Sequence, residues 1–122
     1  MLKNGKGSII NTGSMSGVIV NRPQEQCHYN TAKAAVHHLT KSLACEWATR
    51  GVRVNSVAPT YIETSLLSFA PPECVEAWKK DTPQARLGQP REIGSVVAFL
   101  ASDAASLITG DVLLADGGFT CW

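Results

Sequence analysis

Tyr29 and Lys33 stand four residues apart in the run Cys27-His28-Tyr29-Asn30-Thr31-Ala32-Lys33-Ala34-Ala35. On a helix, that spacing puts both side chains on one face with Cβ atoms about 5–6 Å apart. A phenol beside an ammonium is a weak acid next to the charge that favours its ionised form. At ~4 Å and an effective dielectric of ~20, a unit charge stabilises a phenolate by about 4 kcal/mol before desolvation. Such a pair suits general acid–base catalysis near neutral pH. The same spacing also occurs on ordinary solvent-facing helical turns, so the pair alone leaves both readings open.

The elements that must position this pair can be read from periodicity and breakers. Gly7-Ser8-Ile9-Ile10-Asn11-Thr12 reads as a short buried strand ended by Gly13. Residues 17–27 are expected to form a connecting loop containing Pro23. A long helix follows from Cys27 to about Thr49, with Val36, Leu39, Leu43 and Trp47 as its apolar stripe and Gly51 as its stop. Val52 to Ala58 is a second strand closed by Pro59, and residues 60–71 read as a loop or lid. Pro72 to about Lys80 should be a short helix opened by its proline. Pro90 opens another, with Ile93, Val96, Val97 and Leu100 on one face, and Asp111 to Ala115 is a third strand before Asp116-Gly117-Gly118. Strands alternating with helices imply an α/β fold with a parallel sheet covered on both faces.

Composition narrows the function classes. The 122 residues are 44% hydrophobic and 17% charged, as in a globular domain rather than a disordered chain. The net charge of +1 comes from interspersed residues, so no nucleic-acid or membrane-surface partner is implied. No stretch approaches a membrane span. Cys27, Cys45, Cys74 and Cys121 lack metal-ligand spacing, and no secretory segment opens the sequence; free thiols in a reducing cytoplasm are expected. His28 could line a pocket or end a loop. His37 and His38 have no third ligand spaced to suggest a metal. Trp47 and Trp78 read as packing residues; Trp122 is read as a frayed end or as a cover for a neighbouring subunit's pocket.

Several separated segments together resemble the short-chain dehydrogenase/reductase family. Asn11-Thr12-Gly13-Ser14-Met15-Ser16-Gly17 resembles its active-site strand end, and Tyr29 and Lys33 fall where its Tyr-x-x-x-Lys lies. Arg53-Val54-Asn55-Ser56-Val57-Ala58-Pro59 resembles the next strand, with Ile62 and Thr64 just beyond. Leu87-Gly88-Gln89-Pro90, Phe99-Leu100-Ala101-Ser102-Asp103, Ile108-Thr109-Gly110 and Asp116-Gly117-Gly118 are similar to C-terminal markers of the family. The agreement runs in register from about Gly7 to Gly118. The first segment, with Cys27-His28-Tyr29-Asn30, resembles the polyol dehydrogenase and ketose reductase branch, such as sorbose and xylulose reductases.

The resemblance implies an NAD- or NADP-dependent interconversion of a carbonyl and a secondary alcohol, with a ketose or polyol as substrate. Tyr29 would pass the proton, Lys33 would strengthen it and hold the nicotinamide ribose, and Ser14 would bind the substrate oxygen. Ser16 is the competing hydroxyl: its distance from the tyrosine is the commoner one in the family, whereas the local match of Thr12-Gly13-Ser14-Met15 favours Ser14. The implied cofactor contacts are Tyr29, Lys33, Pro59, Ile62 and Thr64. Thr60, where relatives usually carry Gly, is expected to crowd the nicotinamide site. A homo-oligomer, dimer or tetramer, is implied for an intact parent, with Ala32, Ala34 and Ala35 allowing close helix approach.

Family members are considerably longer. These residues include no Gly-rich strand–turn–helix for a pyrophosphate, no residue to choose between NAD and NADP, and no counterpart of the family's active-site Asn. The expected fold is therefore the C-terminal half of a doubly wound, Rossmann-like parallel sheet: three strands with flanking helices, a single partial domain over residues 1–122. A gene fragment, a partial sequence or a piece that needs another chain is expected, inactive alone. The alternative is a non-enzymatic interaction fragment that pairs with a full-length homologue through its long helix.

Overall fold

The computed structural model describes residues 1–122. Strands β1 (Gly7–Thr12), β2 (Val52–Pro59) and β3 (Val112–Ala115) form one parallel sheet in the order β1-β2-β3. Gly7 lies opposite Val52 and Thr12 opposite Val57; Ser56 lies opposite Val112 and Pro59 opposite Ala115. Parallel neighbours need long crossovers. Helix α1 (Cys27–Trp47) makes the first, and α2 (Pro72–Asp81) and α3 (Pro90–Ala101) make the second. This is the α/β, Rossmann-like arrangement expected from the strand and helix patterns, with three strands and flanking helices.

Residue alternation along β2 assigns the two faces of the sheet. Val52 and Val54, both buried, form the core with Ala44 of α1, and Ile9, Leu43 and Trp47 pack around them. Fully burying a valine side chain contributes about 1.5–3 kcal/mol. Arg53 and Asn55 reach the other face, where the Arg53 guanidinium donates to the Ser102 and Ile108 carbonyls just beyond α3. Ser8 of β1 likewise donates to the Leu100 carbonyl of α3. One face thus carries α1 and the opposite face carries the end of α3.

Asn55, fully buried, ties β3 into the sheet. Its Nδ2 donates to the Ile108 carbonyl at 2.9 Å and its Oδ1 accepts from the Asp111 amide at 3.1 Å. Buried amides persist where both ends are satisfied.

Helix α1 departs from expectation in its buried stripe. The residues it buries are His37, Thr40 and Ala44. Val36, Leu43 and Trp47 flank that line half-buried, while Leu39 is 50% exposed. The helix is therefore rotated away from the face its apolar residues alone would select. Polar partners explain the rotation: Thr40 donates to the Val36 carbonyl and accepts from Asn11 at 2.9 Å, which lets a polar residue sit flat against β1. The helix ends at Trp47, and a 3-10 turn over Ala48–Arg50 leads to Gly51 at φ +73°. A Cβ at Gly51 would run into the Gly5 carbonyl, so only glycine turns the chain there.

Residues 60–71 are not wholly irregular: Ser65–Phe69 forms a 3-10 helix, and Ile62 makes a parallel bridge to Gly88. At the start of helix α3 the Glu92 carboxylate reaches back to accept from the Gln89 amide, while the Glu92 amide donates to the Gln89 carbonyl. No helix is long and apolar enough to cross a membrane. The four cysteines are free.

Candidate active site

The carboxyl ends of the three strands converge, and ligand crevices of open α/β sheets lie at such ends. After β1 the chain turns through Gly13 and Ser14 into a 3-10 turn, Met15–Gly17. Ser14 caps that turn: its Oγ accepts from the Ser16 amide at 3.2 Å. Ser14, Met15 and Ser16 are all buried. After β2 come Thr60, Tyr61 and Ile62. After β3, the Asp116 carboxylate closes the last turn by accepting from the Gly118 amide and from the amide and hydroxyl of Thr120.

Helix α1 delivers its pair to the same place. Lys33 donates from Nζ to the Thr12 carbonyl at the end of β1, at 2.9 Å. That ammonium lies 5.5 Å from the centroid of the Tyr29 ring. Tyr29 is 40% exposed and opens into a cavity of about 280 Å³. Ser14, Ser16, Gln26 and Thr60 share its walls. The two hydroxyls left open by the sequence, Ser14 and Ser16, are thus both present. Ser16 Oγ faces the Gln26 amide at 3.5 Å, a distance at the limit of a hydrogen bond.

The far wall is aromatic. Tyr61 and Trp78 stack with ring centroids 4.0 Å apart and planes within 8° of parallel. Phe119 meets Tyr61 edge-on at 5.8 Å. Asn21 and Gln24 each donate to the Tyr61 hydroxyl, at 2.9 and 2.8 Å, and Trp78 Nε1 donates to Gln24 Oε1 at 3.2 Å. Burial pushes the Tyr61 phenol above its ordinary range, and the two donated hydrogen bonds offset part of that rise. Leu66 and Leu67 of the 60–71 segment complete the rim.

The remaining implied cofactor contacts are spread more widely. Pro59 ends β2 and is half-buried. Ile62 lines a second cavity of about 290 Å³, which meets the first at Thr60. Thr64 is exposed and precedes the Ser65–Phe69 turn without a side-chain capping bond. Thr60 is not merely bulk in place of a glycine: its Oγ1 is buried without a hydrogen-bond partner.

These residues fit the nicotinamide half of a dinucleotide. An ammonium has three donors, and one of those on Lys33 is used at Thr12. The Tyr29 ring lies 5.5 Å from that ammonium, and Tyr29 and Thr60, whose hydroxyl is unpaired, line one cavity. The turn after β1 does not cradle a pyrophosphate, because it leads into a 3-10 turn and not onto the N-terminus of a helix.

Several of these roles were not legible in sequence. Tyr61 carried no signal beyond its place after Pro59, and Gln24 and Asn21 lay in an apparently featureless loop. Trp78 was read as packing, which it is, but its partner is the cavity wall. His28 is exposed in the first turn of α1 and does not line the cavity. Trp122 is 78% exposed at the chain end, and its Nε1 donates to the Asp81 carbonyl. His37 lies beneath Ser14, whose amide approaches its Nε2 at 3.4 Å.

Comparison with known proteins gives the family. A family model described as enoyl-(acyl carrier protein) reductase matches residues 1–120. Galactitol 2-dehydrogenase of Rhizobium johnstonii is 58% identical over 124 residues, which take in 100% of this chain and 48% of that protein. Sorbose reductase of Candida albicans is 51% identical over 119 residues, covering 98% of this chain and 42% of the relative. The crystal structure of a gluconate 5-dehydrogenase from Burkholderia cenocepacia, in complex with NADP and tartrate, superposes with a TM-score of 0.93 at 33% identity. That match covers 99% of this chain and 48% of the other. The chain spans about half the length of the curated relatives it matches. With residues 1–120 matched by the family model and its parallel sheet shared with the solved structures, the chain belongs to the short-chain dehydrogenase/reductase family, whose members depend on NAD or NADP.

Proposed function

We propose that this chain supplies the acid–base half of an oxidoreductase that interconverts a secondary alcohol and a carbonyl on a polyol or ketose. The observation that carries the reading is that Ser14 and Tyr29 share the walls of one cavity while Lys33 is anchored beside them at Thr12. NAD or NADP, when bound, supplies or takes up the hydride. Lys33, Tyr29, Pro59, Ile62 and Thr64 are the residues proposed to hold its nicotinamide end.

In the reducing direction Tyr29 gives its phenolic proton to the carbonyl oxygen; in the oxidising direction it takes the proton of the alcohol. Lys33 stabilises the phenolate in either case. Ser14 donates to the substrate oxygen and steadies its developing negative charge. Ser16, whose amide already orients Ser14, is proposed as a positioning neighbour. The amides of Gln24 and Gln26 and the Tyr61–Trp78 stack offer both hydrogen bonds and an apolar plane, which suits a substrate with several hydroxyls on a carbon chain. The names of the galactitol and sorbose relatives support that substrate class.

The test is turnover of galactitol, arabinitol and sorbose panels with each dinucleotide by the protein expressed at the full length of its reading frame. Polyol oxidation that Tyr29→Phe abolishes supports the reading; preference for a substrate without adjacent hydroxyls would defeat it. A homo-oligomer is proposed for that protein through the outward face of α1, where Ala35 and Leu39 are exposed. Sedimentation of wild type against Leu39→Glu checks it, a monomeric variant being the supporting result.

A further inference from the structure

His37 is buried to 6% exposure, yet it takes no part in the cavity. Its ring is wedged against the turn that carries Ser14. A Cβ at Gly13 would stand 2.5 Å from Nε2, and one at Gly17 would stand 2.5 Å from Cε1 and 2.7 Å from Nδ1. Both positions are therefore open only to glycine while the imidazole is there. Ser14 points its backbone N–H at Nε2, 3.4 Å away. The ring thus meets the turn at both ends, and its only polar contact there requires a lone pair on Nε2.

We infer that His37, neutral and with Nε2 unprotonated, is a positioning residue that holds the Ser14 turn, and that protonating the ring releases the turn. The inference rests on the reading of Ser14 as the hydroxyl that meets the substrate. Protonation would set one N–H donor against another and add a cation to a buried site. The surroundings oppose that charge: burial, then Lys33, then Lys41 hold the imidazole below its ordinary range. Both lysines lie on α1. The other elements packed on the ring present Gly13 from the end of β1, Ser14 and Gly17 from the 3-10 turn, and Ser56 from β2, none of which titrates in this range. No carboxylate compensates a histidine cation here.

Heteronuclear NMR of the full-length protein, labelled on the imidazole nitrogens, tests this without reference to turnover. The expected result is an unprotonated Nε2 at neutral pH. The ring should titrate below the usual value of about 6.5 and carry the Ser14 amide resonance with the same midpoint. A second arm compares His37→Gln, whose Oε1 can accept in place of Nε2, with His37→Leu, which cannot. His37→Gln should keep kcat and lose the acid limb of the pH profile. His37→Leu should lower kcat roughly tenfold, as loss of one buried hydrogen bond would, with KM for the dinucleotide unchanged. A protonated Nε2 at neutral pH, a Ser14 amide indifferent to the ring's titration, or a His37→Leu variant with wild-type kcat would overturn the inference. If the Leu variant does not fold, the wild-type titration still decides. Coupled titration in a protein that oxidises no polyol would defeat the proposed function and leave His37 in place.

Discussion

The Lys33 ammonium sits 5.5 Å from the centre of the Tyr29 ring while donating to the carbonyl at the end of β1. One cation is thereby shared between a strand end and a phenol. Because α1 presents both side chains to the same strand end, the charge is held in place by backbone and not by the mobility of a long side chain.

Tyr29→Phe removes the proton and little else, since the ring is partly exposed and keeps its contact with Lys33. Turnover should fall by about 10²–10⁴-fold, the usual contribution of a positioned acid–base group. Dinucleotide affinity, measured by fluorescence titration of the full-length protein, should fall far less than turnover, because Lys33, Pro59, Ile62 and Thr64 remain. Loss of both together would argue that the residue builds the site instead of working in it.

Ser14→Ala and Ser16→Ala separate two neighbouring hydroxyls. If Ser14 meets the substrate oxygen, its loss should cost kcat about 10²–10³-fold, as for an oxyanion donor. Ser16→Ala retains the amide that orients Ser14 and should cost less than about tenfold. The reverse ranking in steady-state kinetics would transfer the role to Ser16.

Arg86 grips both oxygens of Glu92, at 2.7 and 2.8 Å, and the Gln89 amide donates to the same carboxylate. The Arg86 hydrogen bonds, followed by that of Gln89, hold the Glu92 carboxyl down to about 2 from an ordinary 4.5. A depressed folded-state pKa contributes stability that is present above 4.5 and lost as pH falls towards about 2. Tm of wild type and Glu92→Gln should therefore differ by a constant amount above pH 4.5 and converge as pH approaches about 2. Parallel curves over that window would deny the pair its role.

Asn55→Ala leaves the Asp111 amide without its partner and the Ile108 carbonyl with Arg53 alone. An unsatisfied buried group costs about 1–3 kcal/mol, so urea unfolding should show a loss of about that size. A change below about 0.5 kcal/mol, the scale of surface substitutions, would mean that water replaces the amide.

Residues 1–122 by themselves should not bind NADH or NADPH in titration fluorimetry. They hold features for a nicotinamide end and no turn that cradles a pyrophosphate. Micromolar affinity would overturn this.

Much of the fold was legible because its signals are local. Gly7–Thr12 and Val52–Ala58 read as strands from their β-branched residues, cut off by Gly13 and Pro59 (β2 itself takes in Pro59), and Pro72 and Pro90 begin α2 and α3 where a proline is best tolerated. Helix α1 shows the limit of that logic. Counting apolar residues selected Val36, Leu39, Leu43 and Trp47, but the face against the sheet is His37, Thr40 and Ala44. Hydrophobic periodicity cannot see that Thr40 finds Asn11 or that His37 finds Ser14, since those partners lie more than twenty residues away.

The sequence by itself determined which chemistry was available: a phenol and an ammonium one helical turn apart, and a serine after the first strand. It did so because a helix converts spacing into a shared face with no help from the rest of the chain. Tertiary structure alone decided that the phenol and the serine share one cavity, that Tyr61, Trp78 and Gln24 wall it, and that a histidine lies under the serine. Those contacts join residues from separate crossovers, and only the packing of α1 and the β2 end against the sheet brings them around one cavity.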